Sequence, residues 1–371
     1  MLCSSCRSVP SLDLRVNRYT PEPLWARPPD RETRRAKQRQ VGRVPILRAR
    51  VVIWELSSEN LRLGGEGLAP AQCFIFNNPA NDRMDRRVWP PALKELFFGM
   101  MFDSPLENMV WPSSLVKNLS FGWLFDQPMD LVTWPTSLTE LWIGRSFNQP
   151  VHQTVWPPSL ELFKFGRYFD QPLDEVAWPF PWPASLQSML FLGMVRNASI
   201  DRVVWPESLN NLGLGEGFNQ SLNGVTWNAS LRHLDLGDDF NRSIDGVTWP
   251  PSLQQLSLGE NFDQSIGKHF NHPVVIATWP MSLQNISLGF AFNQSIADVE
   301  WPGSLQKLDL GELFNQPIAE ATLPANLQQL RFGSLGSHFN QPVDRVRWPA
   351  SLRSLEFGIS FNQVQRVVAT V

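Results

Sequence analysis

The sequence predicts a mainly β solenoid of 22-residue coils, with short parallel strands and little helix. Three observations carry this expectation. The segment Trp301–Ala321, WPGSLQKLDLGELFNQPIAEA, repeats the pattern of Trp279–Glu300, WPMSLQNISLGFAFNQSIADVE, and of Trp249–Ile266, WPPSLQQLSLGENFDQSI. A fixed period of this length marks coils stacked one on the next. Within a coil, Leu308 and Leu310 alternate with Lys307 and Asp309, the period-two pattern of a strand with one buried face. Each coil also carries Pro near two turns, as at Pro302 and Pro317, which leaves no room for a long helix.

Taken in order, residues 1–50 show no sustained period and hold 11 Arg and one Lys against four acidic residues. That is a charge of about +8, so at a formal net charge of −3 the rest of the chain carries −11. This basic stretch reads as a disordered or irregular leader, with a short helix around residues 31–40; a transit peptide is the other reading. Cys3, Cys6 and Cys73 cannot build a disulfide framework, and the Cys3/Cys6 pair lacks the second pair of ligands that a structural zinc needs. No apolar run approaches the roughly 20 residues that span a bilayer, and no signal-peptide core is present, so a cytoplasmic protein without a membrane partner is expected.

Residues 51–88 read as a degenerate N-terminal capping coil, with Trp54, Leu61, Leu63 and Gly64 in coil slots and Phe76-Asn77-Asn78-Pro79 as its turn. Residues 89–371 then form about twelve coils, opened by Trp89, Trp111, Trp134, Trp156, Trp182, Trp205, Trp227, Trp249, Trp279, Trp301, Leu323 and Trp348. The Trp-Pro element occurs twice near Trp178, eight extra residues follow the coil of Trp249, and three precede Phe339. Such insertions map to loops at coil edges. The coil of Trp182 has Val195 and Arg196 where Phe is expected, which predicts looser packing.

Each slot of the repeat has a physical task. Gly311 is expected to turn the chain after the strand, Phe314 to plug a corner of the core, and Asn315 to bond turn backbone or to form a ladder between coils. Alternation at Val299 and Trp301 about Glu300 suggests a second, very short strand on the opposite side. With strands ~4.8 Å apart, twelve coils span roughly 58 Å. About six apolar side chains per coil, at ~1.5–3 kcal/mol each, are buried only when neighbours cover them.

The phrase Phe314-Asn315-Gln316-Pro317-Ile318, after Ser304-Leu305 and Leu308-Asp309-Leu310-Gly311, resembles the FNIP repeats, 22-residue relatives of leucine-rich repeats. Phe292-Asn293-Gln294-Ser295-Ile296 carries the same likeness, which covers about Trp54 to Val371. The family usually opens its repeat with Leu-Pro; here Trp-Pro replaces it except at Leu323-Pro324. The resemblance implies a leucine-rich-repeat-like solenoid. Members often carry an F-box or kinase domain beside the repeats, and neither is recognisable in this sequence.

No nucleophile elbow, phosphate loop, zincin motif or dinucleotide fingerprint occurs, so neither an enzyme nor a cofactor is expected. His269 and His272 read as a loop pair rather than metal ligands. Two stripes stand out. The slot after the turn Gly and the outward strand slot are aromatic and basic early in the chain and acidic later. Phe97, Met100, Trp123, Trp142, Arg145, Arg167 and Tyr168 are therefore the candidate protein-binding patch, since exposed aromatic and Arg side chains on a rigid surface are typical anchors. Glu216, Asp238 and Glu260, with Asp239 adjacent, form a candidate acidic column that a cation or a basic partner would answer; a solvated face with splayed side chains is the bland reading. Seven Asn-x-Ser sequons, at Asn118, Asn197, Asn219, Asn228, Asn241, Asn285 and Asn293, mostly arise from the repeat itself.

These observations predict a non-enzymatic scaffold that binds other proteins through the strand-side surface of the solenoid. The alternative is a structural or self-assembling solenoid, associating through an uncapped C-terminal coil. Nucleic acid and membrane are not expected partners.

Overall fold

Parallel pairing of one short strand per coil organises the structure. This is a computed structural model describing residues 51–55, 72–77, 89, 91–151, 153–171, 182–193, 200–259, 273–274, 277–333 and 336–363. The leader with Cys3 and Cys6, the slots Leu61, Leu63 and Gly64, Asn78 and Pro79, Val195 and Arg196, the sequon Asn197, Glu260, and His269 and His272 lie outside the described residues. The chain divides into two compact units, Met1–Gly166 and Arg167–Val371.

The first unit contains β1 (Val51–Glu55), β2 (Cys73–Asn77), β3 (Glu95–Phe98), β4 (Asn118–Ser120), β5 (Glu140–Trp142) and β6 (Leu162–Phe165). Each pairs in parallel with the next, and Leu96, Leu119, Leu141 and Phe163 share one register position, all buried. The second unit contains β7 (Ser188–Phe191), β8 (Asn211–Gly213), β9 (His233–Asp235), β10 (Gln255–Ser257), β11 (Asn285–Ser287), β12 (Lys307–Asp309), β13 (Gln329–Arg331) and β14 (Ser354–Glu356). Its register runs Met189, Leu212, Leu234, Leu256, Ile286, Leu308, Leu330, Leu355. A strand buried on one face and flanked on both sides leaves few backbone donors unanswered, which is why strands of three residues persist.

Behind the strands lie aromatic columns. Phe102, Phe125 and Phe147 stack at 6.0 and 6.1 Å, and Phe292, Phe314, Phe339 and Phe361 at 6.0 Å each. The opening tryptophans stack likewise: Trp111 on Trp134 at 5.9 Å, Trp134 on Trp156 at 6.2 Å, and Trp279 on Trp301 at 5.8 Å. These separations exceed the ~4.8 Å between strands, so within each unit the strands lie on the inner side of a local curve.

Two polar ladders join the coils. The Asn315 amide N–H donates to Asn293 Oδ1 at 2.9 Å, and Asn315 Oδ1 in turn accepts from the Asn340 N–H at 2.9 Å. Gln316 Nε2 reaches back to Asn293 Oδ1 at 3.1 Å and to its backbone carbonyl at 3.0 Å. The Asn-Gln pair of the repeat is thus one device for hydrogen-bonding the preceding coil. In the first unit Asp103 and Asp126 take the acceptor role, receiving the Asp126 and Asn148 N–H groups. The second ladder is made by the Ser of Trp-Pro-x-Ser-Leu: Ser304 Oγ donates to the Leu283 carbonyl at 2.7 Å, and Ser252 Oγ to that of Leu231 at 2.6 Å. Asn228, which replaces Pro in its coil, donates Nδ2 to the Leu209 carbonyl at 2.6 Å.

Glycine follows the strand because of what lies beneath it. Gly311 has φ +85°, and a Cβ there would meet the Gly289 carbonyl oxygen at 1.8 Å. Gly122 lacks a positive φ, yet its Cβ would meet the Gly99 oxygen at 1.9 Å. Close backbone approach is therefore common to both, and the left-handed turn is added at Gly311.

Two expectations are corrected. No second strand forms at Val299–Trp301; a turn closes there instead, with the Val299 N–H bonded to the Ile296 carbonyl at 3.4 Å. Pro302 follows directly and has no N–H to give a ladder. Trp54 does not open a coil: it lies within β1, in register with Phe76 of β2, which aligns with Phe98 of β3. Phe76-Asn77 is accordingly strand and not turn.

Gly311→Ala should prevent close stacking and lower the denaturation midpoint sharply. Gly303→Ala, where a Cβ meets nothing within 4 Å, should be neutral or stabilise by about 0.4–1 kcal/mol. Urea denaturation of both variants checks this; equal effects would show that the close approach is not the constraint.

Candidate protein-binding face

The strand-side surface of the first unit is built from two rows. The outward slot of successive strands carries Phe97, Ser120, Trp142 and Lys164, adjacent by register. The slot after the turn glycine carries Met100, Trp123 and Arg145, stacked through backbone bonds from the Leu124 N–H to the Met100 carbonyl and from the Ser146 N–H to the Trp123 carbonyl. Five of the seven expected patch residues thus share one face. Ser120, between Phe97 and Trp142 in the row, is only 3% exposed.

The rows join aromatic rings to cations. The Arg145 guanidinium lies 5.0 Å from the Trp123 ring centroid, and Lys164 Nζ lies 4.1 Å from that of Trp142. Both are within cation–π range. Beside them runs a polar row: Lys117 Nζ pairs with Glu95 Oε1 at 2.8 Å, and Asn118 Nδ2 donates to Glu140 Oε2 at 2.8 Å. Glu95 is buried, and the Lys117 ammonium is one of its partners there. Burial pulls the Lys164 amine below its ordinary value, and Glu140 opposes that shift. Lys164 belongs to the face but stood outside the seven candidates, although its outward strand slot already marked it.

Arg167 and Tyr168 begin the second unit. Arg167 Nη2 pairs there with Glu216 Oε2 at 2.8 Å, and Tyr168 is 51% exposed. The acidic column is partly answered from within. Glu216 is held by Arg167, and its backbone carbonyl accepts the Asp239 N–H at 2.8 Å. Asp238 is buried, Asp239 is half-buried, and Glu260 is outside the described residues. Among the described residues no group of three or more His, Cys, Asp or Glu side chains could hold a metal ion. None of their helices is long and apolar enough to cross a membrane. On the second unit's strand face, Arg331 lies between Asp309 (3.7 Å) and Glu356 (3.3 Å), so part of the acidic character is again neutralised locally.

The family-model match and one solved structure agree with this architecture. The FNIP Repeat family model matches residues 125–167, 292–335 and 314–360. No curated protein matches the sequence. Among solved structures, CroV588, described as a novel circular LRR protein, is similar at 33% identity and a TM-score of 0.61 over 80% of this chain. This chain spans 44% of that one, less than half its length. TLR13 in complex with ssRNA13 matches 73% of this chain and 41% of its own at 15% identity and a TM-score of 0.37. A leucine-rich repeat protein from Bacteroides ovatus matches 82% of each chain at 11% identity and a TM-score of 0.21.

The lowered Lys164 value has a stability consequence. Between that value and 10.5 the unfolded chain binds more protons than the folded one, so folding stability gains as pH rises through this window. Denaturation at pH 7 and pH 10 should show wild type gaining stability relative to Lys164→Met; a constant difference would contradict the burial. With its repeats recognised in three places and its coils stacked on parallel strands, the chain carries FNIP repeats on a leucine-rich-repeat-like solenoid.

Proposed function

We propose that this protein is a non-enzymatic scaffold that binds another protein through the strand-side face of its first unit. The observation that carries the proposal is the pairing of Trp123 with Arg145 and of Trp142 with Lys164 on adjacent rungs. Large aromatic side chains lose little entropy on binding, and cations stacked on them are already oriented. The strands beneath are fixed by pairing on both sides, so the face needs little reorganisation to meet a partner. Phe97 and Met100, both half-buried, extend the apolar part of the face at the Glu95–Phe98 rung.

The test compares full-length wild type with Trp123→Ala/Trp142→Ala, using photo-crosslinkers placed on the face and quantitative mass spectrometry of captured proteins. Loss of a central anchor costs 2 kcal/mol or more at typical interfaces, about 30-fold in affinity. Captured partners should therefore fall by at least about tenfold while the far-UV spectrum stays unchanged. An unchanged set of partners on a folded variant would remove the proposal.

A further inference from the structure

Lys164 stands apart from the other charges of this face. Lys117 is spent on Glu95, and Glu140 receives the Asn118 amide. Lys164 Nζ has the Trp142 ring at 4.1 Å, yet no hydrogen-bond acceptor is assigned to it among the described residues. Glu140, one rung away, reaches it only through space. An ammonium group that is partly desolvated and lacks an acceptor is left with a deficit that an incoming anion can make good. Around it the face is aromatic: Trp142 on the next rung, Phe97 in the same row two rungs beyond, and Trp123 in the neighbouring row.

We infer that the partner presents an acidic, aromatic-bearing peptide segment, with an Asp or Glu carboxylate set against the Lys164 ammonium and an apolar side chain beside it on the Trp142 and Trp123 surfaces. This rests on the protein-binding assignment of the face and adds the chemistry of what it takes. Charge complementarity selects the occupant. Of the cations on the face, Lys164 has no intramolecular acceptor among the described residues, and the aromatic surfaces beside it favour a ligand that joins an apolar group to the carboxylate. A basic segment would meet Lys164 and Arg145 with like charge. Lys164 is thus the specificity-determining residue, while Trp123 and Trp142 supply contact area.

The test uses full-length protein and two fluorescein-labelled octapeptides, (Phe-Asp)4 and (Phe-Asn)4, which differ only in charge. Fluorescence anisotropy should show wild type binding the Asp peptide about tenfold more tightly than the Asn peptide, the scale of one charge-assisted hydrogen bond. Lys164→Gln should abolish that preference and leave weak binding of both. Lys94→Gln, which removes an exposed cation outside both rows, serves as the control and should retain the preference. Equal affinity of the two peptides for wild type, or a preference that survives Lys164→Gln, overturns the inference. Failure of both peptides to bind also overturns it. If Trp123 and Trp142 still govern partner capture in that case, the protein-binding role stands and the acidic specificity falls.

Discussion

Each coil of this protein completes its hydrogen bonding on the coil before it, and that dependence shapes everything else. The Asn315 backbone is answered by Asn293, the Asn340 backbone by Asn315, and the Asn362 backbone by Asn340. The serine hydroxyls do the same on the opposite margin of the strand. Because each bond needs its neighbour in register, a coil has little structure of its own, and the glycine column enforces the contact. A side chain at Gly166 would strike the Gly144 carbonyl at 1.8 Å, and one at Gly237 would strike the Gly215 carbonyl at 1.7 Å. Backbone meets backbone at these points, and no rotamer change could relieve the clash.

This packing also explains the sequons. Asn219 and Asn293 present Oδ1 to the next coil, Asn118 donates to Glu140, and Asn228 donates to a backbone carbonyl. Their amides are structural components, and a glycan on Asn118 or Asn228 Nδ2 would displace the bond each makes. At the outward strand positions pairing fixes the spacing but not the chemistry: they carry Phe97, Trp142 and Lys164 in one unit, and in the other Asp235 and Asp309, whose Oδ1 atoms accept the N–H groups of the turn glycines Gly237 and Gly311. The proposed binding role rests on this division between ladder and face.

Most of the fold was legible because each rule recurs many times. Alternation at Leu308 and Leu310, repeated coil after coil, left little ambiguity about the strand, and the Asn315 slot announced a ladder. The second strand was misread because alternation over three residues at Val299–Trp301 is too short to outweigh a proline immediately after it. Trp54 was misread because the tryptophan that opens other coils drew it into the wrong slot; only pairing with Phe76 reveals its place. At the candidate face, the sequence showed which residues share a column but not what lies across columns. That Arg145 rests on Trp123, and that Arg167 reaches Glu216 across 49 residues, depends on side-chain reach between rungs. Lys164 was visible in its column, but that it has no acceptor among the described residues became evident only when the places of Glu140, Asn118 and Lys117 were known.

The most direct measurement of coil-on-coil stacking is disulfide formation between register partners, in a background with Cys3, Cys6 and Cys73 replaced by Ser. Ser287 and Asp309 are paired positions on neighbouring rungs, whereas Ser287 and Arg331 are two rungs apart. Neighbouring strands at ~4.8 Å fall within the Cα separation that a disulfide bridges, and two rungs at ~9.6 Å do not. Mild oxidation should therefore crosslink Ser287→Cys/Asp309→Cys and leave Ser287→Cys/Arg331→Cys reduced. Crosslinking of the second pair in preference to the first, or of neither, would contradict the stacked register.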